Sequence, residues 1–138
     1  MKILAAIGFL FLAGCASNQV AQPLPFFPQV APPLPGGLEE VRLLAAFGGK
    51  LVVENDCVKL RYRKGQRSIT VLWNQGIELG RDKIGLFLRN SYTGKVTRFN
   101  VPVTIGGGET SPEYIQQAYP EVARRCGPPY ALGYPADD

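Results

Sequence analysis

No histidine stands anywhere among the 138 residues. That removes both the commonest general base and the commonest metal ligand. Ser68, Ser91 and Ser111 therefore lack the usual partner for nucleophilic work, and no lysine base can be singled out. The carboxylates Glu54, Asp56, Glu78, Asp82 and Glu109 fall at or near expected turns, but no spacing selects two of them for acid–base chemistry. The composition points away from an enzyme, and neither a catalytic residue, a metal nor a cofactor is expected. Charge is scarce as well: 15 Lys+Arg stand against 11 Asp+Glu. So small a basic excess argues against a nucleic-acid partner. The apolar run Ile3 to Phe11 falls well short of the roughly 20 residues that a membrane-spanning helix needs.

That run has another use. Met1-Lys2, a short apolar stretch and the small residues before Cys15 are the parts of a secretion signal covering residues 1–14. Leu12-Ala13-Gly14-Cys15 resembles the lipobox of bacterial lipoproteins. The resemblance implies cleavage between Gly14 and Cys15, diacylation of the Cys15 thiol and acylation of the new N-terminus. Several acyl chains, each worth about 0.8 kcal/mol per buried methylene, make such an anchor practically permanent. Ala16 and Ser17 follow the cysteine, with no aspartate. By resemblance to sorted lipoproteins this implies the outer membrane, facing the periplasm. Removing the signal leaves 14 Lys+Arg against 11 Asp+Glu, because Lys2 goes with it.

With Cys15 acylated, Cys57 and Cys126 remain, an even pair in an oxidising compartment, and a disulfide is the natural reading. Two free thiols or a metal site are the alternatives, and neither has ligands nearby. Residues 15–37 read as the lipidated N-terminus and a tether, with six prolines between Pro23 and Pro35 and no charge. Proline fixes φ and removes donors, so the stretch is expected to be extended, polyproline-like and unpaired. At about 3.1 Å per residue it would hold a domain up to roughly 60 Å from the membrane.

The folded domain is expected over residues 38–130, followed by a flexible tail, 131–138. Leu38 to Phe47 reads as a strand or short helix that Gly48-Gly49 breaks, and Lys50 to Glu54 as a strand. Asn55-Asp56 makes a turn. Val58, Leu60 and Tyr62 then face one way and Lys59, Arg61 and Arg63 the other. After a Lys64-Gly65-Gln66 turn, Ile69, Val71 and Trp73 share a face. Ile84 to Arg89 gives another strand, Tyr92-Thr93-Gly94-Lys95 a hairpin turn, and Phe99 to Ile105 a strand whose Pro102 requires an edge or a bulge. Such spacing predicts a mainly β domain, a five- to six-stranded barrel or sandwich. One C-terminal helix follows, with Ser111 as N-cap and Pro112 at its first position. Tyr114, Ile115, Ala118, Tyr119 and Val122 form its apolar face, and Pro120 kinks or splits it. Packed as a plug, this helix would close one end of a barrel.

Three features are candidates for binding. Lys50, Lys59, Arg61, Arg63, Lys64 and Arg67 form a basic cluster suited to headgroups or an acidic polymer, although an ordinary solvated strand face has the same pattern. Gly106-Gly107-Gly108 can converge amides on an anion, or simply let a strand turn sharply towards the helix. Tyr92 sits beside a turn and is expected to be exposed, whereas Tyr62 and Trp73 point inward with the aliphatic residues.

The strand running into Cys57 (Gly49 to Cys57), the Trp73-Asn74-Gln75-Gly76 element and the triplet Gly106-Gly107-Gly108 resemble a set of uncharacterised exported bacterial proteins. The resemblance covers about residues 41–130 and implies a small closed β-domain of the oligonucleotide/oligosaccharide-binding (OB) type, without implying an activity. The resulting expectation is a non-enzymatic, membrane-anchored envelope module that binds a protein or an envelope polymer such as peptidoglycan. The alternative is a lipoprotein inhibitor of cell-wall hydrolases, whose inhibitory loop the Ser91-Tyr92-Thr93-Gly94 turn loosely resembles.

Overall fold

The computed structural model describes residues 21–32, 45–63 and 67–136. Cys15, Lys64, the signal region and the start of the expected first strand lie outside the described residues. Five strands close a barrel: β1 (Ala45–Glu54), β2 (Cys57–Tyr62), β3 (Ser68–Trp73), β7 (Pro102–Thr110) and β8 (Tyr130–Pro135), in the order β1-β2-β3-β8-β7. All pairs are antiparallel except β3 with β8. A second sheet of β4 (Ile77–Arg81), β5 (Leu86–Asn90) and β6 (Val96–Arg98) is inserted between β3 and β7. Of the barrel and sandwich expected from the strand spacing, the mainly β fold is the five-stranded barrel, with a second, three-stranded sheet of which the spacing predicts only β5.

Alternation builds the core. Val58, Leu60, Ile69, Val71, Trp73 and Ile105 fill the barrel, and Ile77 and Leu88 of the second sheet pack into the same cluster. Asn55 and Asp56, at φ 51° and 60°, make the tight turn that sets β1 against β2 in the register Glu54↔Cys57. Gly48-Gly49 does not break β1, which runs continuously through it. A Cβ on Gly49 would lie 2.3 Å from the Arg61 carbonyl oxygen, so the glycine permits a close strand approach.

The Gly106–Gly108 triplet likewise forms no turn. It lies inside β7, where Gly106 and Gly107 are paired with both β1 and β8 and Gly108 with β8, and all three residues are buried. β7 is laddered to β1 over residues 102–107 and to β8 over residues 105–110, so Pro102, its first residue, has a strand partner on one side only, as a residue without an N–H requires. The break expected later in the chain comes earlier, at Asn100 (φ 62°), whose N–H donates to the Leu51 carbonyl at 2.9 Å.

The chain after Tyr130 is no tail, because Tyr130–Pro135 is β8 and closes the barrel. The helical region divides at Tyr119–Pro120 into α1 (Pro112–Ala118) and α2 (Pro120–Cys126), as the proline predicts. The Ser111 side chain caps α1 by accepting from the Tyr114 N–H at 3.2 Å. Cys57 and Cys126 are joined by a disulfide. Ile115 and Val122 pack on Leu72 and Tyr130. Leu72 alternates with the inward-facing Val71 and Trp73, so the helices cover the barrel's flank and do not plug its end.

The largest departure is in the proline-rich segment. Residues 22–30 are neither free nor unpaired. The Phe26 N–H donates to Asp56 O (2.7 Å) and Phe26 O accepts from the Val58 N–H (3.0 Å). Pro28 O accepts from the Trp73 N–H (3.0 Å), and the Val30 N–H donates to Trp73 O (3.0 Å). The segment thus fills the opening between the start of β2 and the end of β3. Pro25 and Pro28 are buried, Phe27 stacks on Trp73 at 6.0 Å, and Arg125 lies 4.0 Å from the centre of the Phe26 ring. The folded unit therefore begins near Gln22 and not at Leu38.

Candidate functional site

In OB barrels the face of the second and third strands and the flanking loops bind the ligand. Here the chain covers much of that face itself. Thr70 on β3 is fully buried and its hydroxyl donates to Gly127 O at 2.8 Å. The β1–β2 turn is tied to α2 by the disulfide and by an Arg125–Asp56 ion pair at 3.1 Å. An open surface has to be sought elsewhere on the barrel.

The outer face of β1 and β2 provides one. Its cross-strand rows place Val52 beside Lys59 and Lys50 beside Arg61, with Pro102 on the other side of Lys50. The expected strip of Lys59, Arg61 and Arg63 is only partly realised. Lys59 is 8% exposed, lying between the buried Val52 and Thr70, and does not extend an open basic surface. Arg61 is half-exposed and bound to Glu54 at 2.7 Å, and Glu54 also accepts from the Ser68 hydroxyl at 2.7 Å. Partial burial pushes the Glu54 carboxyl up, but the hydrogen bonds from Ser68 and Arg61 outweigh it and bring it below the ordinary carboxylate value.

Lys50, Arg63 and Arg67 are exposed and make no ion pair among the described residues. Lys50 stands directly opposite Arg61 in the ladder. Like charges so placed cost stability, and a single carboxylate, Glu54, offsets the pair. The Arg63 guanidinium lies over Gly48, where a Cβ would come within 3.3 Å of Arg63 Nε. It borders a cleft of about 440 Å³ with Lys50 and Asn100, and another of about 340 Å³ with Lys95, Arg98 and the exposed Val101.

A third cleft bordered by Arg63 opens at the barrel mouth, where Phe47 and Tyr62 meet edge-to-face at 6.3 Å and Arg67 and Glu109 form the rim. The Tyr62 hydroxyl donates to Glu109 at 3.4 Å. Burial, with the adjacent Glu109 charge, raises the Tyr62 phenol above its ordinary value, so it is a neutral donor here. Tyr62 is therefore half-buried and lines the clefts it shares with Lys50 and with Phe47, while Trp73 is wholly core.

The remaining candidates fall apart in space. Gly106 and Gly107 are paired on both sides within the barrel and Gly108 borders the Phe47–Tyr62 cleft, all three in a strand and not in a turn that would converge their amides on an anion. Tyr92 is 80% exposed on a separate, well-ordered turn, in which the Asn90 side chain accepts from the N–H groups of Tyr92 (2.9 Å) and Thr93 (3.2 Å). Lys95 and Arg98, distant in sequence from the basic cluster, line the same cleft as Arg63. Closure of β1 on β7 brings them beside Arg63, and no local pattern signals that juxtaposition. Among the described residues, no three His, Cys, Asp or Glu side chains are grouped to hold a metal ion, and no helix is long and apolar enough to cross a membrane. No protein-family model, curated protein or solved structure matches the chain.

Proposed function

We propose that this is a non-enzymatic envelope lipoprotein, held by lipid on Cys15 at the outer membrane facing the periplasm. It binds an acidic envelope partner, a protein or a polymer such as peptidoglycan, on the outer face of β1 and β2. One observation carries the choice of surface: Lys50 and Arg63 are exposed on the same flank and make no ion pair among the described residues. An acidic partner would supply the missing counter-charge. Charges of this kind contribute more to encounter and selectivity than to raw affinity. The exposed Val101 and the ring of Tyr62 supply apolar contact beside them.

Co-sedimentation of the mature protein with purified peptidoglycan, and in-cell crosslinking followed by mass spectrometry, test the reading together. Binding in either assay should fall on raising salt from about 0.1 M to about 1 M, where the screening length drops from about 10 Å to about 3 Å. Lys50→Glu with Arg63→Glu should abolish it. Binding that is indifferent to both changes would exclude this face.

A second reading, inhibition of a cell-wall hydrolase, is favoured by the Asn90-capped turn that holds Tyr92 out in solvent. It requires stoichiometric inhibition of lysozyme that Tyr92→Ala removes, with the Lys50/Arg63 variant still active.

A further inference from the structure

We infer that the tip of the β4–β5 hairpin, Arg81 to Gly85, is a membrane-contacting element that seats Ile84 in a layer of anionic phospholipid headgroups. The inference rests on the lipid anchor proposed at Cys15 and adds the orientation of the domain on the bilayer. Its first support is the path of the docked N-terminal segment. Gln29 donates to Ile77 O at 2.9 Å at the start of β4, and Gln22 accepts from Arg81 at 2.8 Å at its end. Followed backwards from Gln29, the chain thus runs along β4 towards the β4–β5 turn. Only six residues, 16–21, lie between Cys15 and Gln22, which makes seven Cα–Cα steps. Fully extended they span at most about 25 Å, so the hairpin tip lies at the end of the domain nearest the anchor.

The second support is the chemistry of that tip. Ile84 is 81% exposed. It is held in place, because Asp82 Oδ1 accepts from the N–H groups of Ile84 (2.9 Å) and Gly85 (3.2 Å). Arg98 grips the same carboxylate with two bonds, at 2.8 and 2.7 Å. The one acidic group of the tip is therefore neutralised, which leaves Arg81 and Lys83 on either side of it without an opposing carboxylate among the described residues. An exposed apolar side chain on a hydrogen-bonded turn, beside cations without a carboxylate partner, matches the amphipathic layer at an anionic membrane surface.

Tryptophan is a suitable reporter, since the one native indole, Trp73, is fully buried and shielded from aqueous quenchers. Full-length protein carrying Ile84→Trp would be reconstituted into vesicles of phosphatidylethanolamine and phosphatidylglycerol and titrated with acrylamide. A soluble Cys15→Ser form of the same variant gives the reference. Quenching at position 84 should fall by roughly three-fold or more on the vesicles, as expected for a side chain seated at the headgroup boundary. Arg67→Trp, at the opposite end of β3, should be quenched equally in both settings. On vesicles of phosphatidylcholine alone the shielding at 84 should weaken; unchanged shielding there would overturn the part assigned to Arg81 and Lys83. Intact-mass measurement of Cys15 separates the two readings. An acylated protein whose position 84 stays fully quenchable overturns the hairpin contact and leaves the anchor standing. An unacylated protein overturns both.

Discussion

Replacing Phe27 with alanine should release the docked proline-rich segment without unfolding the barrel. Complete truncation of a buried phenylalanine costs about 3–5 kcal/mol. Phe27 is half-buried, which scales the loss to about 2 kcal/mol. Its stacking on Trp73 is worth up to about 1 kcal/mol more. Docking should thus weaken by about 2–3 kcal/mol, and at about 1.4 kcal/mol per factor of ten that is roughly 30- to 150-fold in the opening equilibrium. Native-state hydrogen exchange reads this residue by residue. The N–H groups of Phe26 and Val30 lie in the segment, and those of Val58 and Trp73 lie in the barrel but donate to the segment. All four should accelerate together by that factor. The amides of Leu60 and Ile105, bonded within the barrel ladder, should accelerate far less. Acceleration of all six by one common factor would show that the segment is no separate unit, and no acceleration at the four would refute the docking.

The Cys57–Cys126 bond spans 69 residues, for which the chain-entropy account gives about 4 kcal/mol. A Cys57→Ser/Cys126→Ser variant should lose about that much in a urea titration, and a loss below about 1 kcal/mol would rule the account out. Gly107→Ala should lower the thermal midpoint more than Gly94→Ala, although both glycines have positive φ. At 107 the added Cβ would meet the Leu132 carbonyl oxygen at 2.0 Å, whereas at 94 nothing lies within 4 Å. For pH, hydrogen bonds from Arg98 hold the exposed Asp82 carboxyl well below its ordinary value of 3.8. A depressed folded-state value makes its contribution complete above about pH 4 and lost as pH falls through that lower value. The stability gap between wild type and Asp82→Asn, measured by urea midpoint, should therefore be constant from neutral pH to about pH 5 and shrink below about pH 4. A gap that grows on acidification would contradict the ion pair.

Where one rule acted alone, the sequence was legible. The alternation of Val58, Leu60 and Tyr62 places β2, that of Ile69, Val71 and Trp73 places β3, and Ser111-Pro112 starts α1. Pro120 divides the helical region, and the cysteine count gives the disulfide. Misreadings came where long-range contacts override a local signal. Gly48-Gly49 and Gly106-Gly107-Gly108 look like breaks, yet Gly49 and Gly107 admit neighbouring backbone and Gly106 admits the Tyr134 ring, so they are strand interiors. β8 lacks clean alternation because Tyr130 and Ala131 are buried on opposite faces, and it follows a Gly127-Pro128-Pro129 stop. β4 is a five-residue strand whose apolar pattern is only Ile77 and Leu79. The proline-rich segment was read as unpaired because proline lacks a donor. A proline carbonyl still accepts, however, and Pro28 O is one of four bonds that need only two donors from the segment, Phe26 and Val30.

The candidate site was less legible than the fold, for a reason that also bears on function. Sequence proximity grouped Lys59 with Arg61 and Arg63, but solvent access and pairing divide them: Val52 and Thr70 enclose Lys59, Glu54 pairs with Arg61, and of the two cations that barrel closure sets beside Arg63, Arg98 is held by Asp82 and only Lys95 lacks a carboxylate partner among the described residues. What survives is a narrow basic strip on one flank. The docked segment changes where that flank can work. An unpaired tether would have carried the domain roughly 60 Å out, whereas the seven Cα–Cα steps from Cys15 to Gln22 allow at most about 25 Å. The six-residue strands β2 and β3 add about 20 Å of barrel length. With the lipid on Cys15 proposed above, a partner bound through Lys50 and Arg63 would come within about 45 Å of the membrane, the sum of those two reaches. Crosslinks from position 63 should accordingly favour membrane-proximal envelope components, and lengthening residues 16–21 with a flexible insert should shift the captured set outward. Capture that is unchanged by the insert would show that the partner, and not the tether, determines where the domain sits.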